Sequence, residues 1–326
     1  LILVNIVQPG IDGGGEALLQ SFEEPEHQPA QRTESTFGDV LRNIIPKNIV
    51  AAAVQGNVLG LIFFSIFLGV ALLQIPSKTD AAVLRQGSNA AFQAIIWMIE
   101  KAMLFAPLGF LSLIADLVGS FVLEGQLSTL GSSMTAYTFT VVIGLLLHGV
   151  GTLGCLAWCF GISPIALFRQ MIPAITSAFS TASSSATLPI TLDCLENRAG
   201  VPNKIGSFVA PLGATINMDG TAIYEAVAVV FIANMLGVDL SWTQQALIFI
   251  TATVSAVGAA GIPGAGLVMM VLILNTVGLP AEGVKLVIVV DRVLDMLRTS
   301  VNVWGDSLGA AIIAKHEKRE TTNTLG

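Results

Sequence analysis

The chain has 326 residues, of which 53% are hydrophobic and 11% charged, and its net charge is −7. Soluble domains carry about 25% charged residues, so the composition points away from a soluble globular protein. The acidic balance and the lack of a basic stripe leave no nucleic-acid partner. Cys155, Cys159 and Cys194 lie in or beside apolar runs and read as buried small hydrophobes rather than a disulfide framework. His27, His148 and His316 are too scattered for a metal site.

The opening LILVNIVQPG lies inside an apolar run and reads as the tail of a span whose start is missing, hence an N-terminally truncated product. Pro9 and the Gly13–Gly15 run end it. Residues 10–35 are polar, acidic and loop-like, and 36–75 hold a short amphipathic piece followed by the apolar VLGLIFFSIFLGVALLQI. Residues 87–122 predict a long span kinked at Pro107-Leu108-Gly109, with Glu100 and Lys101 inside it. Residues 133–161 predict another, with His148 as a neutral, hydrogen-bonded packing residue. Residues 125–168 and 240–281 contain no Asp, Glu, Lys or Arg, and each has room for a span or a hairpin.

The second half differs in kind. Residues 163–195 are apolar but interrupted by SSSATLP at 183–189, and 207–236 by NMDG at 217–220. Residues 243–280 are interrupted by GAAGIPGAG at 258–266, and 284–314 carry Asp291, Arg292, Asp295, Arg298, Asn302 and Asp306. A broken segment followed by a polar helix occurs twice, a two-fold internal repeat over 163–236 and 243–314. Lys and Arg at 76–86, 165–171, 196–204 and the C-terminus assign those segments to the cytoplasm. On that count 163–195 and 243–280 each enter and return on one side, as re-entrant hairpins.

Non-helical backbone at membrane depth is tolerated only where it is buried in protein or lines a cavity. A helix that starts there aims free N–H groups and a positive dipole end at the cavity, which suits a carboxylate. That is the logic of transporters with inverted repeats and discontinuous helices. In NMDG, Asn217 and Asp219 flank Met218 at a break that Gly220 permits, and the exposed carbonyls and carboxylate suit a small cation. Asp295, Arg298, Thr299, Asn302 and Asp306 fall at i, i+3, i+4, i+7 and i+11, one face of a helix. Polar groups at mid-membrane must face a polar interior. Arg298 offers a planar fork to a carboxylate, Asp295 would hold an ammonium, and Asn302 and Asp306 would coordinate a cation. Glu225, eight residues after Asn217, is a candidate proton carrier; the alternative is a glutamate hydrogen-bonded to a neighbouring helix.

SSSATLPIT (183–191), PLGATINMDGTAIYEA (211–226), GAAGIPGAG (258–266) and DRVLDMLRTSVNVWGD (291–306) resemble the dicarboxylate/amino acid:cation symporter family, which includes the excitatory amino acid transporters and archaeal aspartate transporters. The resemblance runs over nearly all of the chain. It implies an all-α, multi-span membrane transporter with two re-entrant helical hairpins and inverted repeats. Residues 1–162 would be a partial scaffold and trimerisation domain (the end of span 3 and spans 4–6), 163–315 the transport domain (hairpin 1, span 7, hairpin 2, span 8) and 316–326 a cytoplasmic tail. A homotrimer in the plasma membrane would move its transport domains like elevators, with the second hairpin as gate.

The resemblance also implies sodium-coupled symport of L-glutamate, L-aspartate or C4-dicarboxylates, with no enzymatic activity. Arg298 would bind the side-chain carboxylate and Asp295 the amino group. Thr221, Thr299, Asn302, the serines Ser183, Ser184 and Ser185, and the backbone near Ile262 and Gly266 complete the substrate set. Sodium would use Gly213, Asn217, Asn302 and Asp306 at one site, Asp219 and Asn217 at a second, and carbonyls near Ala256 and Val257 and in the unwound Asn217 region, Met218 included, at a third. Glu225 matches the eukaryotic glutamate carriers, in which this position couples H+ symport to K+ counter-transport, whereas sodium-only archaeal members have Gln. Ala182 and Met296 stand where members of the family carry an arginine, and Arg292 lies one turn before Asp295. A neutral amino acid carrier and an anion channel are the alternative readings; the buried guanidinium of Arg298 argues against the first.

Overall fold

The computed structural model describes residues 1–11, 45–54, 58–75, 77–123, 125, 127–259 and 261–324. All but the first two residues of the acidic loop expected at 10–35, and much of the amphipathic piece after it, lie outside them. The described residues are helical, with no strand among them. The chain divides into two compact units, Ser35–Gly125 and Leu1–Glu34 with Gln126–Gly326.

In the first unit, α2 (Ile49–Val54), α3 (Val58–Gln74), α4 (Lys78–Met103) and α5 (Ala106–Leu123) pack in succession. Ser77 caps α4, accepting from the Asp80 N–H at 3.3 Å. The single kinked span expected over 87–122 is two helices, broken at Leu104–Phe105. Pro107 takes the second position of α5, where its missing N–H costs nothing. Phe67, Leu73, Trp97 and Leu123 all point outward. An exterior of large apolar side chains is what a hydrocarbon solvent favours and water does not.

The second unit holds α1 (Ile2–Val7), α6 (Leu127–Leu146) and α7 (Leu153–Cys159), with a widened π-type turn at Leu147–Thr152 between the last two. It continues with α8 (Pro164–Thr181), α9 (Ser184–Asp193), α10 (Asn203–Ile216), α11 (Asp219–Met235), α12 (Trp242–Gly258) and α13 (Ala265–Thr276). A 3-10 turn at Ala281–Leu286 then leads into α14 (Ile288–Thr324). Helix α11 has no polar stripe: Val227 to Ile232 are all buried. A helix apolar all round must be covered all round, and α11 is, by α6, α12, α13 and α14. Helix α14 packs on α6, α8, α10 and α11. Leu127–Cys159 and Asn203–Met235 each run 33 residues and are apolar enough to cross a bilayer, the second despite its break.

Helix α6 groups with the second unit because it lies on α11 and α14. The interruption expected across SSSATLP is narrower: it falls at Ala182 and Ser183, and Ser184–Asp193 is helical with Pro189 inside it. Ala182 takes the left-handed conformation, φ 52°, to turn the chain. The 217–220 break falls at Asn217 (φ −100°, ψ 73°) and Met218 (φ −108°, ψ 49°). The last helix runs ten residues past the expected 314, through Thr324, so most of the tail expected at 316–326 continues α14. Cys155 and Cys159 are exposed on α7, not buried; only Cys194 meets the expectation.

Candidate substrate and cation site

The turns of the α8–α9 and α12–α13 hairpins meet. Ser183 Oγ donates to the Gly261 carbonyl at 2.6 Å, and the Ser185 N–H donates to the same oxygen at 3.2 Å. Ser183 Oγ also caps α9, accepting from the Ala186 N–H at 3.1 Å. Gly261 has to be glycine at this contact: a Cβ there would sit 2.6 Å from Ser185 Oγ and 2.7 Å from the Ala214 carbonyl oxygen.

Between these turns and α14 lies a cavity of about 10 Å³, room for about one water. Its lining includes Ser184, Thr221, Ile262, Gly266, Asp295, Arg298, Thr299 and Asn302. Eight of the ten substrate residues expected from sequence therefore converge. Ser183 and Ser185 are instead spent on the hairpin contact. The first turns of α9 and α13 both supply lining residues, so two positive helix ends reach the cavity.

Arg298 is 2% exposed. Its Nε donates to Asp295 Oδ1 at 2.9 Å, its Nη1 lies 3.8 Å from Asp291 Oδ1, and its Cζ stands 4.4 Å from the Tyr224 ring centroid. Nη1 has no hydrogen-bond acceptor. Tyr224 OH donates to Asp291 Oδ1 at 2.6 Å. Asp295 Oδ2 accepts from the Gly264 N–H at 2.9 Å, tying α14 to the second hairpin turn. Two carboxylates and an aromatic face thus hold one buried guanidinium, with a donor left over. The sequence reading noted Asp291 without giving it a role and passed over Tyr224. Asp291 sits four residues before Asp295 on the same stripe, which was the signal available; Tyr224 offered none beyond adjoining Glu225.

A second cluster surrounds the α10–α11 break. Asn217 Nδ2 donates to Asp306 Oδ1 at 2.9 Å. Asn302 Oδ1 accepts from the Gly220 N–H at 2.8 Å, while its Nδ2 donates to Thr221 Oγ1 at 3.1 Å and meets Met218 Sδ at 3.3 Å. Gly213 makes room for Asp306: a Cβ there would lie 2.6 Å from its Cγ. Asp219 Oδ2 is 2.6 Å from His148 Nε2. His148 is hydrogen-bonded, as expected, but to a residue of the predicted cation site; no spacing in the sequence linked the two. Asp306 is 4% exposed and, among the described residues, faces no Lys or Arg. A buried carboxylate beside unwound backbone is a hard-oxygen setting of the kind that suits a small cation. Ala256 and Val257 end α12, and the Ala256 carbonyl accepts from the Ala259 N–H at 3.2 Å. Among the described residues no hydrogen bond links either to the Asn217–Asp306 cluster.

Glu225 is fully buried on α11, and Ser255 Oγ of α12 donates to its Oε2 at 3.0 Å. Its Oε1 has no partner.

Helices broken at mid-length, hairpin turns that touch, and a buried guanidinium facing a cavity define a membrane transporter with discontinuous helices. The chain belongs to the sodium:dicarboxylate symporter family, which matches residues 1–316. The family is one of transporters, not enzymes. The chain is 42% identical to excitatory amino acid transporter 1 of Mus musculus over 308 residues, 90% of this chain and 56% of that protein. It is 44% identical to excitatory amino acid transporter 4 of Mus musculus over 265 residues, 81% and 46% respectively. It is 41% identical to an excitatory amino acid transporter of Caenorhabditis elegans over 331 residues, 88% and 65%. The chain thus spans about half the length of most of the curated relatives it matches.

Proposed function

We propose that the protein is a sodium-coupled secondary active symporter of acidic amino acids, L-glutamate or L-aspartate, or of C4-dicarboxylates. It works in the plasma membrane as a homotrimer by elevator-type alternating access. One observation carries the reading: a 2% exposed guanidinium with an unused donor faces a cavity lined by two helix N-termini and an aspartate. A buried donor without an acceptor is costly, and a planar carboxylate is its best complement.

The cavity in its present form admits a water, not an amino acid. The α12–α13 turn is therefore the gate. Its anchors are few: Gly261 on Ser183 and Ser185, and Gly264 on Asp295. Opening breaks them. A substrate then takes Arg298 through its side-chain carboxylate and Asp295 through its ammonium. Asn302 joins the two clusters, contacting Thr221 on the cavity side and Gly220 and Met218 on the cation side. A cation that orders the unwound Asn217–Met218 backbone between α10 and α11 thus orders Thr221 and Asn302 for substrate, a coupling free energy between sites. Glu225 is the proton carrier, exchanging its proton when the hairpin moves.

The test is uptake of labelled aspartate, glutamate and succinate by the full-length protein in proteoliposomes, with sodium, proton and potassium gradients imposed in turn. Saturable uptake that needs inward sodium supports the proposal; uptake indifferent to sodium overturns it. Arg298→Cys is expected to lose acidic substrates, and unchanged aspartate transport would refute the role given to Arg298.

A further inference from the structure

A larger cavity, about 680 Å³, lies away from the substrate site. It is bounded by the start of α8, the turn between α9 and α10, and the end of α14. Its floor is apolar, with Leu167 and Val201 buried and Ala311 half-buried. Its rim is basic: Lys315 and Lys318 line it, and Glu317 is matched by Lys204 at 3.1 Å. Lys315 donates to the Gly161 carbonyl, which holds its ammonium at the mouth. This end of the unit carries Arg169, Arg198, Lys204 and Lys315, the face that charge bias assigns to the cytoplasm.

We infer that this cavity seats an anionic phospholipid of the cytoplasmic leaflet, its phosphate or carboxylate at Lys315 and Lys318 and the upper part of its acyl chain on Leu167, Val201 and Ala311. Three features select that occupant. The volume is that of a site for a sizeable organic molecule, too large for a bare anion. The apolar floor has no role for a soluble phosphate compound. A basic pocket between helices at the cytoplasmic surface is where anionic headgroups collect. The walls come from α8, the α9–α10 turn and α14, which also hold the hairpin turn and the ionisable stripe, so a seated lipid braces the frame on which the substrate site is built.

The inference depends on the membrane reading but not on which substrate is carried. The full-length protein is reconstituted in nanodiscs containing equal phosphatidylserine and phosphatidylcholine, released into mild detergent, and the retained lipids are counted by native mass spectrometry. Wild type is expected to retain phosphatidylserine over phosphatidylcholine by about fivefold or more, and Lys315→Gln/Lys318→Gln to lose that preference. Ala166→Trp, which adds bulk at an exposed lining position and leaves every charge in place, is expected to lower retention of both lipids. Equal retention of the two lipids by wild type overturns the inference. So does undiminished phosphatidylserine on Ala166→Trp, which would reduce the effect to surface charge. Sodium-dependent uptake plays no part in the readout, so failure here leaves the proposed transport activity standing, and the reverse.

Discussion

Replacing Gly266 by alanine tests the link between the hairpin turn and Arg298, the arginine proposed to bind substrate. The added Cβ would lie 2.8 Å from Arg298 Cζ and 3.0 Å from Nη2, where ordinary contact begins at 3.4 Å. The pair must therefore separate by about 0.6 Å at Cζ alone. An arginine tip would normally swing aside at little cost. This one is held by Asp295 through Nε at 2.9 Å and stacked 4.4 Å from Tyr224, so the hairpin turn has to yield instead. Overpacking a closed site costs about 1–3 kcal/mol, or about 5- to 150-fold in an equilibrium. The penalty falls on the closed hairpin and not on the global fold. Sodium-dependent aspartate binding by the full-length protein in detergent is expected to weaken by that factor, with the apo melting temperature within a degree or two of wild type. Unchanged aspartate affinity would refute the claim that closure presses Gly266 against Arg298. A collapse of the apo melting temperature would move the effect from gating to folding.

Gly213→Ala forces Asp306 out of its contact with Asn217, so the sodium concentration for half-maximal uptake is expected to rise about tenfold or more, read from sodium titrations at saturating substrate. Asn302→Leu removes one of the two acceptors of the Gly220 N–H, which keeps Asp219 Oδ1 at 2.9 Å, and the donor to Thr221 Oγ1; at about 0.5–1.5 kcal/mol per hydrogen bond lost it is expected to weaken substrate and sodium together. An effect confined to one of them would undo the coupling assigned to Asn302. Glu225→Gln keeps an acceptor for Ser255 while removing the ionisable group, so sodium-driven exchange is expected to persist and the response to an imposed proton gradient to vanish. Ser183→Ala removes both the α9 cap and the bond to Gly261, and faster hydrogen exchange at the α12–α13 turn is the expected readout.

The stripe from Asp295 to Asp306 was legible because helical periodicity is a local property, and a run of polar groups in an apolar helix admits one explanation. The break at Asn217 and Met218 was legible for a similar reason: a polar tetrapeptide ending in glycine interrupts an apolar run. SSSATLP misled by the same logic. Ser183 caps a helix start and Thr187 Oγ1 lies 3.2 Å from Thr181 Oγ1, so composition marked the turn but not its bounds. Pro107 was taken for a kink when it begins a helix, because the sequence does not say on which side of a proline the chain turns.

Amino-acid order alone therefore determined that this chain lives in a bilayer, that its helices are interrupted, and which face of the last helix is polar. Pairing was decided by the tertiary structure. That His148 reaches Asp219, that Tyr224 and Asp291 confine Arg298, and that one carbonyl of the second hairpin receives both Ser183 and Ser185 are contacts between residues 7 to 78 positions apart. Periodicity reports how a helix divides its own faces. It holds no information about which neighbour meets each face, and that choice is made only when the helices pack.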